Sequence, residues 1–240
     1  MLKNIGQTTN INNLPDENIQ PNAVDLCIDR VWEIGSGEFY IGIKKTEISK
    51  EDKALMVRLA SNLKKHNNLL AGNISKSYLL NDKDNWFFKN VLIECIKRYK
   101  KIFPGYIEGL KIMTHFHNFL LESIWVNFQK KTEFNPPHIH AGIFSFVIWI
   151  NIPYDYEKEH AVSFSKDSKN PSASDFIFQY INTIGSLNTF RYCLSKKDNG
   201  RMLFFPSSLT HQVFPFYTSN KERISISGNI NLNSKEVINV

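Results

Sequence analysis

His138 and His140 stand one residue apart in "NPPHIHAG" (135–142), and no other residues in this 240-residue chain are better spaced for chemistry. In an extended segment, side chains two apart leave the same face. The two rings can therefore close on one cation, and imidazole suits iron, zinc, copper or nickel. Pro136 and Pro137 keep the approach extended and limit its movement. An HxH pair alone is a weak sign, and the chain carries a second one, His115 and His117 in "MTHFHN", which is read as structural. The residues downstream set the first pair apart. "GRMLFFPSSLTH" gives a turn glycine, a strand ending at Pro206, and His211 at the start of the next strand. Arg223 and Ser225 come next in "RISIS", sharing one face with Ser227 while Ile224 and Ile226 take the other. An Arg and a Ser projecting together form a fork for a carboxylate. An inward, unpaired Arg is costly, so an anionic partner is expected there.

The elements that must position these residues are mostly short strands. "LESIWVNFQ", "FSFVIWINI", "FIFQYI", "RMLFFP", "QVFPF" and "RISISGNINL" are β-type segments separated by turn signals, and "YIEGLKIMTHF" and "AVSFS" are read the same way. Many short strands with few helices predict a mainly β fold, a sandwich or barrel of the jelly-roll kind. Trp125, Trp149 and the Phe-rich strands read as its core. Residues 1–22 are polar and read as a flexible segment, and residues 23–105 as an α+β support region for a core over 106–240. Within the support region, two strands are expected around Gly35-Ser36-Gly37, then a helix near 50–66. A second helix is expected from Asp84 to Phe103, where Phe87, Val91, Cys95 and Tyr99 make a stripe. The polar stretch 163–175 reads as a surface loop. His66 and His160 lie in polar stretches and are expected at the surface.

Eighteen Phe residues suit a β-rich interior. Lys plus Arg exceed Asp plus Glu, for a formal charge of +6, but the lysines are spread along the chain, which favours a solvated surface over a nucleic-acid face. Three cysteines without CxxC indicate neither a disulfide scaffold nor a thiolate zinc site and predict a reducing, cytoplasmic setting. The N-terminus has no signal-peptide core. The longest apolar run, residues 143–152, falls short of the ~20 residues a membrane helix needs.

Taken in order, "HIH", "GRMLFFPSSLTH" and "RIS" resemble the iron(II)- and 2-oxoglutarate-dependent oxygenase superfamily, above all its small, often phage-encoded members. The resemblance covers about residues 107–232. It implies a double-stranded β-helix with N-terminal helices buttressing it, Fe(II) as metal, and 2-oxoglutarate and O2 as co-substrates. A substrate is hydroxylated while succinate and CO2 leave. By the same resemblance His138, His140 and His211 are the metal ligands. Arg223 and Ser225 match the Arg-x-Ser pair that binds the far carboxylate of 2-oxoglutarate. Asn127, eleven residues before His138, matches an Asn touching the co-substrate in some relatives, with Gln129 beside it a weaker match.

One position departs from that pattern. His140 stands where the family has Asp or Glu, so a neutral ligand replaces a charged one and ligand type tunes the metal. Glu133 or Asp155 could complete a carboxylate triad instead. Two other readings stay open: a three-histidine cupin-type dioxygenase acting without 2-oxoglutarate, and a non-catalytic jelly roll used for binding or structure. The primary substrate, whether protein, nucleobase or small molecule, is not written in the motifs, and fold does not fix it. Residues 154–200 and the N-terminal region are expected to shape the entrance.

Overall fold

The computed structural model describes the backbone of residues 24–27 and residues 72–110 and 118–233. The segment 1–22, the strand pair around residue 36 beyond residue 27, the 50–66 helix, and His66, His115 and His117 lie outside the described residues. The described strands, in chain order, are β1 (Val24–Cys27), β2 (Ser77–Leu79), β3 (Phe119–Gln129), β4 (Asn135–His138), β5 (Phe144–Asn151), β6 (Phe176–Ile181), β7 (Leu187–Tyr192), β8 (Arg201–Pro206), β9 (Thr210–Val213) and β10 (Arg223–Leu232). They form two antiparallel sheets, one ordered β1-β8-β5-β10-β3-β2 and the other β4-β9-β6-β7. The mainly β, helix-poor class expected from the segment pattern is observed.

Strict alternation gives the larger sheet two different faces. Ile124, Val126 and Phe128 of β3, Phe144, Phe146 and Ile148 of β5, Met202 and Phe204 of β8, and Ile224, Ile226 and Ile230 of β10 point one way. They pack against a helical segment comprising a π turn (Phe88–Leu92) and α1 (Ile93–Ile102). The expected stripe of Phe87, Val91, Cys95 and Tyr99 is buried in this layer. Both oxygens of Asp82 accept the Phe87 and Phe88 N–H groups, at 2.8 and 2.9 Å, and so start the segment. Tyr99 sits in an aromatic cluster with Phe103, Tyr106 and Phe144.

The opposite face of the same sheet meets the smaller sheet. Val147, Trp149, Leu203 and Phe205 pack there against Phe176, Phe178 and Tyr192, with Tyr154 and Phe216 closing one end. Close approach at β10 demands a glycine, since a Cβ on Gly228 would lie 2.6 Å from the Phe146 ring.

Three expectations about elements need correction. Residues 105–109 form a helical turn, α2 (Gly105–Gly109), not a strand. Pro104 already holds helical angles, and the Tyr106 ring anchors the turn against Tyr99 while its hydroxyl donates to the Ile143 carbonyl. "AVSFS" is a series of turns after α3 (Tyr156–His160), closed by Ser165 and Lys166 N–H bonds to the Val162 carbonyl. It has no partner strand among the described residues, and Phe164 is exposed. The third is β7, a strand that the sequence pattern does not reveal. It pairs with β6 through a hairpin at residues 182–186. The loop at 163–175 begins at the surface as expected, but Ala173, Ser174 and Asp175 at its end are buried.

Candidate functional site

The two sheets enclose a cavity of about 280 Å³. Register explains its chemistry. On the cavity side of β3 and β10, Gln129 lies opposite Arg223, Asn127 opposite Ser225, Trp125 opposite Ser227 and Ser123 opposite Asn229. Every one of these residues lines the cavity. Next to an all-apolar face, the same strands thus present a polar stripe.

His138, His140 and His211 meet at this cavity. His138 of β4 and His211 of β9 are direct cross-strand partners. Their ring centroids lie 4.3 Å apart, and each lies 5.0 Å from the His140 ring. One ligand atom from each falls within 4.8 Å of the other two. Two of the rings are oriented by the same device: His138 Nδ1 bonds the Pro136 carbonyl at 2.7 Å and His211 Nδ1 the Leu209 carbonyl at 2.9 Å. A carbonyl only accepts, so Nδ1 carries the proton and Nε2 keeps its lone pair for a metal. His140 is fixed through its backbone, where its N–H donates to the Ser207 carbonyl at 2.9 Å. Gly142 then turns the chain into β5 at φ 101°, and a Cβ there would lie 2.8 Å from the Ile230 carbonyl oxygen. Phe176 stacks on His211, and Phe205 meets it edge-on.

Burial keeps all three imidazoles neutral at pH 7. It lowers the His138 pKa, against the pull of the Pro136 carbonyl. Burial, then the neighbouring His138, lowers His140 to about 4. His211 falls well below its ordinary value through burial and then through the other two rings. Neutral imidazole is the form that binds metal.

Among the described residues no carboxylate joins the three histidines, and no Asp or Glu lines the cavity. Glu133 accepts the backbone N–H groups of Ser75 and Lys130, and Asp155 precedes α3. Neither completes a carboxylate triad in this arrangement.

Arg223 is only 2% exposed and lines the cavity. The anionic partner expected for it is not a protein carboxylate. All five of its N–H groups reach neutral acceptors. Gln129 Oε1 takes two, at 3.0 and 2.8 Å; the Ser174 and Phe214 carbonyls take one each, at 2.9 Å, and the Tyr154 hydroxyl takes the last. The rings of Tyr154 and Phe216 lie 5.7 and 5.5 Å from the guanidinium carbon. Neutral dipoles thus solvate a buried cation whose charge stays uncancelled by direct contact. Gln129, the weaker of the two matches in the sequence, thus meets Arg223 across 94 residues, and Tyr154, 69 residues away, is a functional candidate that sequence spacing could not supply.

Asn127 is 5% exposed, faces the cavity, and its Oδ1 is buried without a hydrogen-bond partner. A buried unpaired amide atom costs about 1–3 kcal/mol. That oxygen can only accept, so the fit of the cavity to a small anionic ligand rests on Arg223 and Ser225, and Asn127 joins them only if its amide turns its NH2 group inward. Trp125 and Trp149 are buried, as a core reading requires, yet both also line the cavity, and Trp125 stands 5.7 Å from the His140 ring.

Residues 123–229 match the family model described as "Putative 2OG-Fe(II) oxygenase". The match covers a little under half of the chain, and its description names an oxygenase type defined by Fe(II) and 2-oxoglutarate. It runs from the start of the polar face of β3 to the end of that of β10. Among solved structures, the chain is similar to a prolyl-4-hydroxylase of Pseudomonas putida at 9% identity, covering 88% of this chain and 93% of that one, with a TM-score of 0.45. An oxidoreductase of the 2OG-Fe(II) oxygenase family from Burkholderia pseudomallei gives 13%, 88%, 84% and 0.42. A Trichoplax adhaerens prolyl hydroxylase, solved with a hypoxia inducible factor peptide, gives 10%, 75%, 77% and 0.36. These likenesses are distant, and the site rests on the family match and its own geometry. No curated protein matches the sequence. No helix of the described residues is long and apolar enough to cross a membrane.

Proposed function

We propose that the protein is a 2-oxoglutarate-dependent dioxygenase that hydroxylates its substrate and releases succinate and CO2, with the two sheets forming a double-stranded β-helix. His138, His140 and His211 hold Fe(II) through Nε2 in the first and last cases, and Arg223, Ser225 and Asn127 hold 2-oxoglutarate. The observation that carries this reading is one cavity lined both by three converging neutral imidazoles and by a buried, charge-uncompensated Arg223. A bare metal site would not need that arginine.

Bound Fe(II) supplies a Lewis-acidic centre where 2-oxoglutarate and O2 can meet. The chain contributes positioning and exclusion of water. The Pro136 and Leu209 carbonyls hold two rings in the ligating tautomer, and Phe176 and Phe205 wall the metal side. At the other end Arg223 binds a carboxylate by exchanging a neutral acceptor for a charged one. Gln129 Oε1 is the acceptor best placed to yield, because it alone takes two of the five bonds. Asn127 can turn its NH2 group toward the same anion. Charge-assisted bonds are about twice as strong as neutral ones, which favours that exchange.

The test is anaerobic addition of Fe(II) and then 2-oxoglutarate to the purified protein. The reading expects a visible metal-to-ligand charge-transfer band that needs both additions. An unchanged spectrum would overturn it. The all-histidine donor set is the one observation favouring the second reading, a three-histidine dioxygenase without 2-oxoglutarate. Oxygen uptake with no succinate formed would mark that case.

A further inference from the structure

Behind the cavity lies a second group of ligand-type side chains that the oxygenase reading does not use. His160 ends α3, Asp175 precedes β6 and Cys193 follows β7, yet their ligand atoms all fall within 4.8 Å of one another. Polar neighbours predict a surface position for His160. Instead its side chain is 18% exposed, and its Nε2 bonds Asp175 Oδ1 at 2.8 Å. Asp175 is fully buried, and its other oxygen, Oδ2, has no hydrogen-bond partner. The half-buried Cys193 thiol faces the same carboxylate. A fully buried carboxylate between an imidazole and a thiol, its second oxygen met only by Arg191 at 3.9 Å, is a donor set with room for a cation.

We propose that His160, Asp175 and Cys193 form a second metal site, one that holds a zinc-class divalent cation and ties α3, β6 and β7 together. Nitrogen, oxygen and sulfur in one cluster suit a borderline-soft ion with no geometric demand of its own. Three protein ligands leave a fourth position, and the partial exposure of His160 and Cys193 opens it to solvent. Two groups stand against uptake. Burial and the adjacent Asp175 push the Cys193 thiol up to about 11, so the cation must displace its proton. Arg191 Nη1 lies 3.9 Å from Asp175 Oδ2 and competes as a positive charge. Arg191 is 28% exposed, and its bond is to the Pro171 carbonyl, so its side chain can turn outward.

The site's place in the chain gives it a consequence. Asp175 lies between Ser174, whose carbonyl accepts from Arg223, and Phe176, whose ring stacks on His211. Ser174 holds φ 72°, in the left-handed region. A cation on Asp175 would brace a strained segment that touches both ends of the cavity.

Cobalt(II) titration of the full chain tests the proposal, because only a thiolate ligand gives the intense sulfur-to-cobalt charge-transfer band in the near ultraviolet. The three-histidine cluster has no sulfur and cannot produce it. The expected result is a saturable band in the unaltered protein that zinc(II) bleaches. Cys193→Ser should remove the band, Asp175→Asn and His160→Gln should weaken its formation at least tenfold, and His211→Ala and Cys27→Ser should leave it. No band in the unaltered protein, or a band that survives Cys193→Ser, would overturn the proposal. So would a band indifferent to both Asp175→Asn and His160→Gln. None of these outcomes touches the oxygenase reading, which the iron and 2-oxoglutarate titration tests separately.

Discussion

The two faces of the larger sheet are made by the same strands and differ in almost everything else. On the helix side, Ile224, Ile226, Phe128 and Phe146 interlock with Phe87 and Tyr99 in a dry layer where each of these side chains is within a few per cent of full burial. On the cavity side, their immediate neighbours Arg223, Ser225, Asn127 and Gln129 make a polar surface inside the molecule. The packed core therefore lives on the even-numbered residues of β3 and β10 and the cavity lining, where the proposed recognition falls, on the odd-numbered ones. A one-residue slip in register would exchange the two. The contrast predicts that substitutions one residue apart should have separable effects.

The largest effect is expected at the metal. His211→Ala removes one of the three proposed ligands and should cost iron affinity more than the ~10–100-fold typical of losing an outer-shell partner, measured by anaerobic iron titration. Retained stoichiometric binding would contradict the ligand set. Next come Phe128→Ala and Ile226→Ala, which should lower unfolding free energy by about 2–5 kcal/mol in denaturant titration. Their folded fraction should still bind iron and 2-oxoglutarate normally. Loss of ligand affinity without loss of stability there would erase the distinction between faces.

Arg223→Ala should weaken 2-oxoglutarate by roughly tenfold to a hundredfold, given about 1.5–3 kcal/mol for a charged hydrogen bond, and leave iron affinity within a few fold. Gln129→Glu sharpens the same point. A fixed carboxylate on Arg223 should compete with 2-oxoglutarate and weaken it without lowering the melting temperature. Undiminished 2-oxoglutarate affinity in that variant would mean the ligand does not meet Arg223. The smallest effect is expected at Ser225→Ala, about 0.5–1.5 kcal/mol of 2-oxoglutarate affinity.

Much of this division is legible in the sequence. "RISIS" alternates so cleanly that both faces of β10 can be assigned, and the HxH and distal histidine arrive together as their spacing suggests. Other features are hidden for physical reasons. β7 puts only Phe190 and Tyr192 as apolar residues on its less exposed face, with Asn188 beside them and Leu187 exposed on the other, so its period-2 signal is short and weak. "AVSFS" has strand composition but ends in turns because no described strand pairs with it. The acceptors around Arg223 come from β3, from Tyr154 and from the carbonyls of Ser174 and Phe214, contacts that only the tertiary fold creates. Polar neighbours make His160 look solvent-facing, while its actual partner Asp175 lies fifteen residues on.

The central claim is that the three histidines and Arg223 serve one shared ligand. Calorimetric titration of 2-oxoglutarate into the protein, with and without Fe(II) under nitrogen, addresses it directly. A dicarboxylate gripped at one end by the metal and at the other by Arg223 must bind more tightly when the metal is present, and must tighten the metal by the same factor. The account predicts at least a tenfold gain. Equal 2-oxoglutarate affinity in the two titrations would contradict it.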